Sequence, residues 1–376
     1  MVVWPPMPLL KPFRALRYDT ATAGPLDALV APPHDVLTPE ERDRLLVRSA
    51  YNAVRLVRPD RPADAAACLA DWRASGVLVR DARPAVWLLE EDFTGPDGLA
   101  RTRRGLVARV RLEPYANGRI LPHEKTFPEQ KEARLELLRA TNTKLSPILL
   151  LHEGRPPAPA PSRPPDVEAS LDGVTSRLWR VEEVELEAVR GSLIIADGHH
   201  RYESARRYHE EAGTPESAYA LAALVSRRDP GLTIFPTHRL ASEPAPALNG
   251  GLRQTPVEPG EAVVRLEAVD RDHAAFVLVR RDGAVLAEQE PAADVLDVLD
   301  TTLVDALVPA VAAFTPSAAD AVAAVRSGAA GAAYLVRPPT MAQVEAVAVA
   351  GETMPQKSTY FFPKLTSGLL FAPFDE

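Results

Sequence analysis

A run of apolar residues near the middle of the chain ends at a short polar turn, and a helical pattern follows the turn. Leu193-Ile194-Ile195-Ala196 contains no charge, which is typical of a buried strand. Tyr202, Ala205 and Tyr208 then recur at the spacing of one helix face. The pattern therefore predicts a buried strand, a tight turn at Asp197-Gly198 and a helix that starts directly after the turn.

The other stretches with a clear pattern mix strands and helices. The alternation from Asn52 to Val57 predicts a half-buried strand, whereas Ala63 to Ser75 predicts a helix that ends at Gly76. Thr38 to Glu41 has the residues of a capping box at a helix start. Three further stretches are apolar enough to be strands: Ala85 to Glu91, Gly105 to Arg111 and Ala218 to Ser226. We therefore predict the α/β class, as a mixed α+β fold.

The density of polar motifs changes along the chain and divides it into three portions. Residues 1–240 carry most of the motifs, whereas residues 241–350 are rich in alanine and valine and contain little concentrated chemistry. Dense polar residues reappear in residues 351–376. We predict a core at 1–240, an accessory α/β portion at 241–350 and a tail at 351–376 that returns to the core.

Composition and charge restrict the partners and the compartment. The formal net charge of −8 argues against a general electrostatic grip on nucleic acid, although local basic patches remain open. The single cysteine, Cys68, has no partner for an internal disulfide, and no apolar run is long enough to span a membrane. We expect a cytoplasmic protein without membrane partners, and the sequence is compatible with a homodimer.

The turn after the central strand carries the residues that best suit anion binding. A helix N-terminus has unpaired N–H groups and a partial positive charge, and Gly198 lets the backbone approach a ligand closely. His199, His200 and Arg201 add donors for a phosphate, which Arg201 can bind bidentately. The alternative is that Asp197 caps a surface helix and that both histidines are solvated. We favour the phosphate site, because all these residues are packed directly behind one hydrophobic strand.

A second polar motif, His123-Glu124-Lys125-Thr126, precedes a predicted helix from Pro128 to Ala140. Loops between a strand and a helix commonly hold catalytic groups, and the imidazole of His123 and the carboxylate of Glu124 suit acid–base chemistry. The segment alone leaves an alternative open, which is a solvated loop whose Thr126 caps the helix.

Three further pairs of residues extend the candidate site. His34-Asp35 follows two prolines that hold the loop extended, and His238-Arg239 ends a predicted strand. Lys357-Ser358 offers an amine and a hydroxyl to a phosphate, without the glycines of a P-loop. Because each motif follows an apolar or extended run, we expect Glu124, His200 and Lys357 to line one cleft.

Seven stretches, in this order, resemble the bacterial and archaeal family called domain of unknown function 1015. They are KPFRALRYD, LVAPPHDV, NAVRLVRP, LPHEKT, ADGHHRYESA, DPGL with PTHRL, and MPQKSTYFFPKLTSGL, and they span nearly the whole chain. The Asp-Gly-His-His-Arg turn also resembles that of the ParB/sulfiredoxin superfamily, which includes nucleotide-binding ParB proteins, sulfiredoxin and the free-serine kinases. The resemblance implies a ParB/sulfiredoxin-like core.

The resemblance to the free-serine kinases implies roles for the motif residues. Gly198 to Arg201 would bind phosphate, Asp197 would orient a Mg²⁺ ion or the substrate, and Glu124 would be the base. The nucleotide would be ATP or ADP. His199 stands where sulfiredoxin has its reactive cysteine, so the resemblance does not imply sulfinic-acid chemistry.

These patterns favour a phosphotransferase or a phosphatase that acts on a small phosphorylated metabolite, with serine or phosphoserine as the substrate. In this hypothesis His123 and His200 join Glu124 in catalysis, and Lys357 and Ser358 join the phosphate site. The residues assigned to the substrate are His34, Asp35, His238 and Arg239. The alternative is a nucleotide-responsive binding or regulatory protein without turnover, since ParB-like folds can act as switches.

Overall fold

The structure is a computed structural model, and it describes residues 9–181, 189, 191–245, 248, 251–308 and 310–375. Its strands are β1 (Leu10–Lys11), β2 (Leu16–Tyr18), β3 (Leu78–Arg80), β4 (Val86–Thr94), β5 (Ala100–Arg111), β6 (Ile120–Leu121), β7 (Thr143–Lys144), β8 (Ile148–His152), β9 (Val167–Leu171), β10 (Val174–Val181), β11 (Leu193–Asp197), β12 (Tyr219–Ser226), β13 (Thr233–Phe235), β14 (His238–Ala241), β15 (Arg253–Val257), β16 (Ala275–Arg280), β17 (Gly283–Glu288), β18 (Ala313–Thr315), β19 (Ala332–Leu335), β20 (Tyr360–Phe362) and β21 (Ala372–Pro373).

The helices are distributed along the whole chain. They are α1 (Thr20–Ala23), α2 (Pro39–Arg48), α3 (Val54–Val57), α4 (Pro62–Ala74), α5 (Pro128–Thr141), α6 (His199–Ala212), α7 (Ala262–Glu267), α8 (Asp300–Leu307), α9 (Ala318–Ser327) and α10 (Met341–Ala350). None of the helices within the described ranges is long and apolar enough to cross a membrane. The predicted mixed α/β class is confirmed.

The chain forms two compact units, and its path between them is interleaved. The first unit runs up to Pro122, continues from Thr126 to Leu232 and resumes at Pro363. The second unit consists of His123–Lys125 and Thr233–Phe362. The change to the second unit comes at Thr233 and the return to the first unit at Pro363. The predicted portions, with boundaries at residues 240 and 351, stay a prediction.

The first unit is built on a mixed sheet. Among the described residues this sheet has nine strands, in the order β6-β11-β8-β12-β5-β4-β10-β9, with β1 also paired to β5. The pairs β6–β11 and β8–β12 are parallel and the others are antiparallel. The face of α6 that the sequence predicted to be apolar packs on this sheet, because Tyr202 and Ala205 belong to the same buried cluster as the inward residues of β11 and β12. The sheet thereby fixes the position of the N-terminus of α6.

The second unit is built on a separate sheet, which is antiparallel throughout. Its six strands within the described ranges follow the order β15-β17-β16-β19-β14-β18. Two buried clusters fill the two faces of this sheet, one with α7 and α9 and the other with α8. The strands β13 and β20 pair separately as a two-stranded ribbon.

One predicted strand is wrong. Residues 54–57 form the short helix α3, although the alternation from Asn52 to Val57 favoured a strand. The cause is Asn52, whose Oδ1 accepts the backbone N–H of Val54 at 2.9 Å and whose Nδ2 donates to the carbonyl oxygens of Ala28 and Val30. An asparagine that bonds to the backbone two residues ahead starts a turn, so this contact overrides the alternating pattern.

Candidate functional site

The turn between β11 and α6 has the geometry that the sequence predicts. Asp197 ends β11, Gly198 lies in the left-handed region with φ 93°, and α6 begins at His199. A residue with a Cβ is strained at this φ, and a Cβ added at Gly198 would lie 3.0 Å from the guanidinium carbon of Arg201. The first N–H groups of an α-helix have no partner within the helix, and Gly198 has no side chain that could cap those of α6.

Asp197 is a buried anchor for two cations. Its Oδ2 accepts a hydrogen bond from Nη2 of Arg201, and its Oδ1 accepts one from Nζ of Lys364. Burial alone would raise the pKa of Asp197, but the charges of Lys364 and Arg201 lower this pKa overall. Nη1 of Arg201 donates to the carbonyl oxygen of Pro147, so two of its five N–H groups are used and the others remain for a ligand.

A Mg²⁺ ion does not fit the present arrangement of Asp197. Mg²⁺ binds through carboxylate oxygens and water. Both oxygens of Asp197 are already bonded to the cationic side chains of Arg201 and Lys364, whose charges would repel a metal ion. The metal role of Asp197 therefore stays a prediction, and no chemical step below uses a metal.

His200 links the first turn of α6 to the start of α5. Its Nε2 accepts the backbone N–H of Phe127 at 2.9 Å, and its ring stacks on that of Phe127 with centroids 6.1 Å apart. Phe127 is the N-cap residue of α5, and its side chain makes no cap. The ring of His200 therefore supplies the acceptor at this helix start, and Thr126 does not cap the helix. Burial lowers the pKa of His200, which keeps the ring neutral at pH 7 with its proton on Nδ1.

His199 has a different environment from His200. It is 5% exposed and lies among the buried residues of α6. Its charge interacts with Asp197 and helps to lower the pKa of that carboxyl group. This burial favours a packing role for His199, and its predicted contact with phosphate stays a prediction.

The loop with His34 and Asp35 belongs to the same cluster in the first unit. Burial lowers the pKa of His34 to about 2, and the charges of Arg134 and Arg201 act in the same direction. The Nδ1 atom of His34 lies 3.9 Å from Oδ1 of Asp35. Burial also lowers the pKa of Arg134 to about 10, with Arg201 as a further cause. The structure therefore brings the predicted pair His34-Asp35 to the turn at Gly198.

The second unit brings the other predicted motifs together. Glu124 forms a parallel bridge to Met354, and Nε2 of His123 lies 3.0 Å from Oγ1 of Thr359. The ring of His123 is fully buried, with Phe361 beside it. The motif at 123–124 therefore lies against the segment that contains the predicted pair Lys357-Ser358.

Arg239 is also tied to that segment. It is fully buried, it pairs with Asp305 at 3.1 Å, and it donates to the carbonyl oxygens of Gln356 and Lys357. Lys357 has φ 56° and an exposed side chain.

The neighbours of Arg239 in sequence and in space are also buried. The hydroxyl of Ser358 donates to the carbonyl oxygen of Pro355 at 2.7 Å and shares a hydrogen bond with the hydroxyl of Thr301 at 2.8 Å. Nδ1 of His238 accepts the backbone N–H of Val336 at 3.2 Å. These contacts give Arg239, His238 and Ser358 structural partners.

The motifs thus form two groups, one in each unit. The first group comprises His34-Asp35 and the turn at 197–201, and the second comprises the motifs at 123–124, 238–239 and 357–358. The expectation that Glu124, His200 and Lys357 line one cleft relates residues of different units and stays a prediction.

Sequence reasoning missed two residues of the first cluster. Lys364 lies far along the chain from Asp197, and its only local signal is a lysine behind the Phe-Phe-Pro run. Phe127 lies between the predicted motif at 123–126 and the predicted helix from Pro128, and no pattern singles it out, although a backbone N–H at a helix start needs an acceptor. Neither contact has a sequence spacing that predicts it.

Comparisons with known proteins give the following similarities. The family described as protein of unknown function (DUF1015) matches residues 10–302. No curated protein matches the chain. Similar solved structures include a free serine kinase in complex with AMP, at 16% identity and a TM-score of 0.41, over 71% of this chain and 91% of that one.

Two further similar structures come from named organisms. A conserved hypothetical protein from Pyrococcus furiosus has 14% identity and a TM-score of 0.39, over 72% of this chain and 96% of that one. SbnI with a C-terminal truncation, from Staphylococcus aureus, has 12% identity and a TM-score of 0.39, over 71% of this chain and 87% of that one.

Proposed function

The chain belongs to the family of proteins of unknown function DUF1015, and we propose that it binds the phosphate of a nucleotide and transfers or hydrolyses a phosphoryl group on a small metabolite. Serine or phosphoserine is the favoured substrate, and ATP or ADP is the favoured nucleotide. One observation carries the proposal: the guanidinium of Arg201 lies against Gly198 at the N-terminus of α6. N–H groups and a guanidinium at one turn are the donors that bind phosphate in proteins.

An excess of positive charge around the turn supports an anionic ligand. The interacting charged side chains of the cluster are the cations Arg58, Lys131, Arg134, Arg201 and Lys364 and the carboxylates Asp35, Asp197 and Glu203. In a partly buried site an unbalanced positive charge attracts an anion more strongly than it does in bulk water. A phosphate group would balance this excess.

The residues of the cluster act in this proposal by binding and orienting. The N–H groups of α6 and the free donors of Arg201 hold the phosphoryl oxygens, and Nδ1–H of His200 adds a donor. Phosphoryl transfer depends mainly on alignment and charge neutralisation, so such donors are the contribution it needs from the protein. Glu124 remains the proposed base: it takes the proton of the substrate hydroxyl while the hydroxyl oxygen bonds to the γ-phosphorus of ATP, and ADP leaves with the electron pair of the broken P–O bond.

The alternative is a nucleotide-responsive binding protein without turnover, and two contacts favour it. Asp197 is bonded to both Arg201 and Lys364, and Nε2 of His200 is bonded to Phe127. Neither group is therefore ready to act as a base within the first unit. A protein with this cluster alone would bind a phosphate and leave it intact.

Calorimetric titration with ADP and with inorganic phosphate tests the phosphate site. Arg201→Ala should weaken binding by about 1.5–3 kcal/mol, the range for a charge-assisted hydrogen bond. Arg207→Ala is the matched control, because it removes the same charge from an exposed position of the same helix. Equal affinities of the wild type and a folded Arg201→Ala variant would show that Arg201 does not bind the phosphate.

Turnover separates the enzyme from the binding protein. Phosphorus NMR of mixtures with ATP or ADP and serine, or with phosphoserine alone, follows transfer and hydrolysis directly. Glu124→Gln keeps the shape of the side chain but removes the base, so turnover should fall by roughly 10²–10⁴-fold while nucleotide binding persists. A wild-type protein that binds ADP and never turns these compounds over would establish the alternative.

A further inference from the structure

A small cavity in the first unit has three cationic residues within a largely apolar lining. Its volume is about 50 Å³, and its walls include Arg134 from α5, Lys144 from β7 and Arg201 from α6, together with His34 and Ser146. At about 10–15 Å³ for each water, it has space for roughly three to five waters or one small anion. Among the described residues, none of those lining the cavity is acidic.

Lys144 is buried without the partner that a buried lysine requires. It is 6% exposed, and its Nζ has no hydrogen-bond partner among the described residues. The amine lies 4.8 Å from the ring centre of Phe374 and 5.8 Å from that of Tyr208. The other charged or titratable groups that interact with it are Arg109 and His209, and neither is acidic.

The aromatic rings alone do not compensate for the burial of Lys144. A cation–π contact stabilises a buried ammonium group, but by less free energy than it costs to remove that group from water. Burial, followed by the charge of Arg109, accordingly lowers the pKa of Lys144 to about 7. An anion beside the amine would supply the missing compensation.

Arg134 adds a second cation with free donors. Its Nη1 donates to the carbonyl oxygen of Val57 at 2.9 Å, and the carboxylate whose charge acts on it is that of Asp35, which does not line the cavity. A guanidinium carries five N–H groups, so most of those of Arg134 remain for a ligand. Two largely buried cations on one small cavity are the arrangement expected of an anion site.

We propose that this cavity binds a small oxyanion, with the ammonium group of Lys144 and the guanidinium group of Arg134 as its charged partners. The shared chemistry is a compact group of negative oxygens, which a carboxylate and a tetrahedral dianion both offer. The cavity shares Arg134 and Arg201 with the proposed phosphate cluster, so the inference rests on that proposed function and adds Lys144, which takes no part in the phosphoryl transfer described above. Its test depends on Lys144, which the phosphate site does not use, so failure of this inference is distinguishable from failure of the phosphate site.

Calorimetric titration of the full chain with sodium acetate and with sodium sulfate, near pH 8.5, tests this site. Acetate represents the carboxylate and sulfate the tetrahedral dianion, and neither titrates at this pH. Because Lys144 is mainly neutral in the free protein and charged beside an anion, binding should take up close to one proton. Titrations in two buffers with different enthalpies of ionisation measure this uptake.

Lys144→Met should abolish the proton uptake and weaken the binding of the favoured anion at least tenfold. Lys11→Met is the matched control, because Lys11 also lies over an aromatic ring, that of Tyr219 at 5.5 Å, and does not line the cavity. The control should retain both affinity and uptake. Unchanged affinity and uptake in Lys144→Met would overturn the proposal, as would the absence of binding of either anion to the wild type.

The wild type provides a second test if Lys144→Met does not fold. From about pH 7.5 to about pH 9.5, the affinity for the anion should fall about tenfold for each pH unit, since the binding form of Lys144 becomes rarer. An affinity that does not change with pH over this range would overturn the proposal.

Discussion

Nε2 of His200 accepts the backbone N–H of Phe127 at 2.9 Å, so a residue in the first turn of α6 caps the start of α5. This contact gives His200, a histidine of the predicted phosphate motif, a structural role. It also fixes the relative position of two helix starts within the first unit, since α5 and α6 pack along their length.

His200→Ala should therefore destabilise the fold by about 1 kcal/mol, the usual cost of a lost helix cap. His200→Gln is the matched control, because its amide oxygen is an acceptor at a similar reach. Urea denaturation of the three proteins measures the difference. An equal loss in both variants would contradict the capping role.

Gly198→Ala should lower both stability and the affinity for phosphate. The left-handed backbone costs an alanine about 1–2 kcal/mol, and the new Cβ would meet the guanidinium of Arg201 at 3.0 Å. Gly213→Ala, at the other end of α6, carries a similar strain at φ 64° but has nothing within 4 Å of the new Cβ. Calorimetry with inorganic phosphate should therefore show weaker binding for Gly198→Ala only. Equal binding of phosphate by both variants would show that Gly198 does not form part of the phosphate site.

Lys364→Met should destabilise the protein by about 1–3 kcal/mol at neutral pH, because buried Asp197 would keep only Arg201. The lowered pKa of Asp197 means that this stabilisation is present above the unfolded pKa and is lost as the pH falls through the folded pKa. Lys364→Met should therefore cost less in strong acid. Asp197→Asn introduced together with Lys364→Met should recover part of the loss. Denaturation of the wild type, the two single variants and the double variant gives the coupling free energy between the two side chains. A coupling free energy of zero would mean that the ion pair between Asp197 and Lys364 adds nothing to the stability of the fold.

His238 should make the stability of the second unit depend on pH. Burial, followed by the charge of Arg239, lowers the pKa of His238 to about 4, and its Nδ1 must stay unprotonated to accept the N–H of Val336. The unfolded histidine binds a proton below about pH 6.5 and the folded one does not. Its contribution is therefore complete above about pH 6.5 and is lost as the pH falls towards 4.

His238→Asn removes this titration and keeps an acceptor near the position of Nδ1. Between pH 6.5 and 4 its stability should fall less steeply than that of the wild type, by up to about 1.4 kcal/mol per pH unit. Urea denaturation at a series of pH values measures both slopes. Parallel slopes would show that another group carries the pH dependence.

The parts of the structure that local sequence determines were predictable. The capping box of Thr38 and Glu41 is confirmed, with Glu41 accepting the N–H of Thr38 at 2.8 Å. The strand, turn and helix around Gly198 are confirmed as well. In each case the interacting residues lie within one or two turns of chain, so the spacing carries the information.

The rest depends on contacts between distant residues. Lys364 reaches Asp197, and Phe127 reaches His200, through packing that no local pattern encodes. The same limit explains the error at Val54 to Val57, where Asn52 bonds to the distant carbonyl groups of Ala28 and Val30. Side chains that bridge separate segments are the part of this site that sequence reasoning could not find.

The interleaved path of the first unit affects the order in which the protein can fold on the ribosome. Its closing strand β21 pairs with β7, and Ser367 exchanges backbone hydrogen bonds with Ala31. Strand β21 and Ser367 emerge only after residues 233–362 have been translated, which takes roughly 6 to 26 seconds at about 5–20 residues per second. Until then Asp197 lacks Lys364, so the proposed phosphate cluster is incomplete in the nascent first unit.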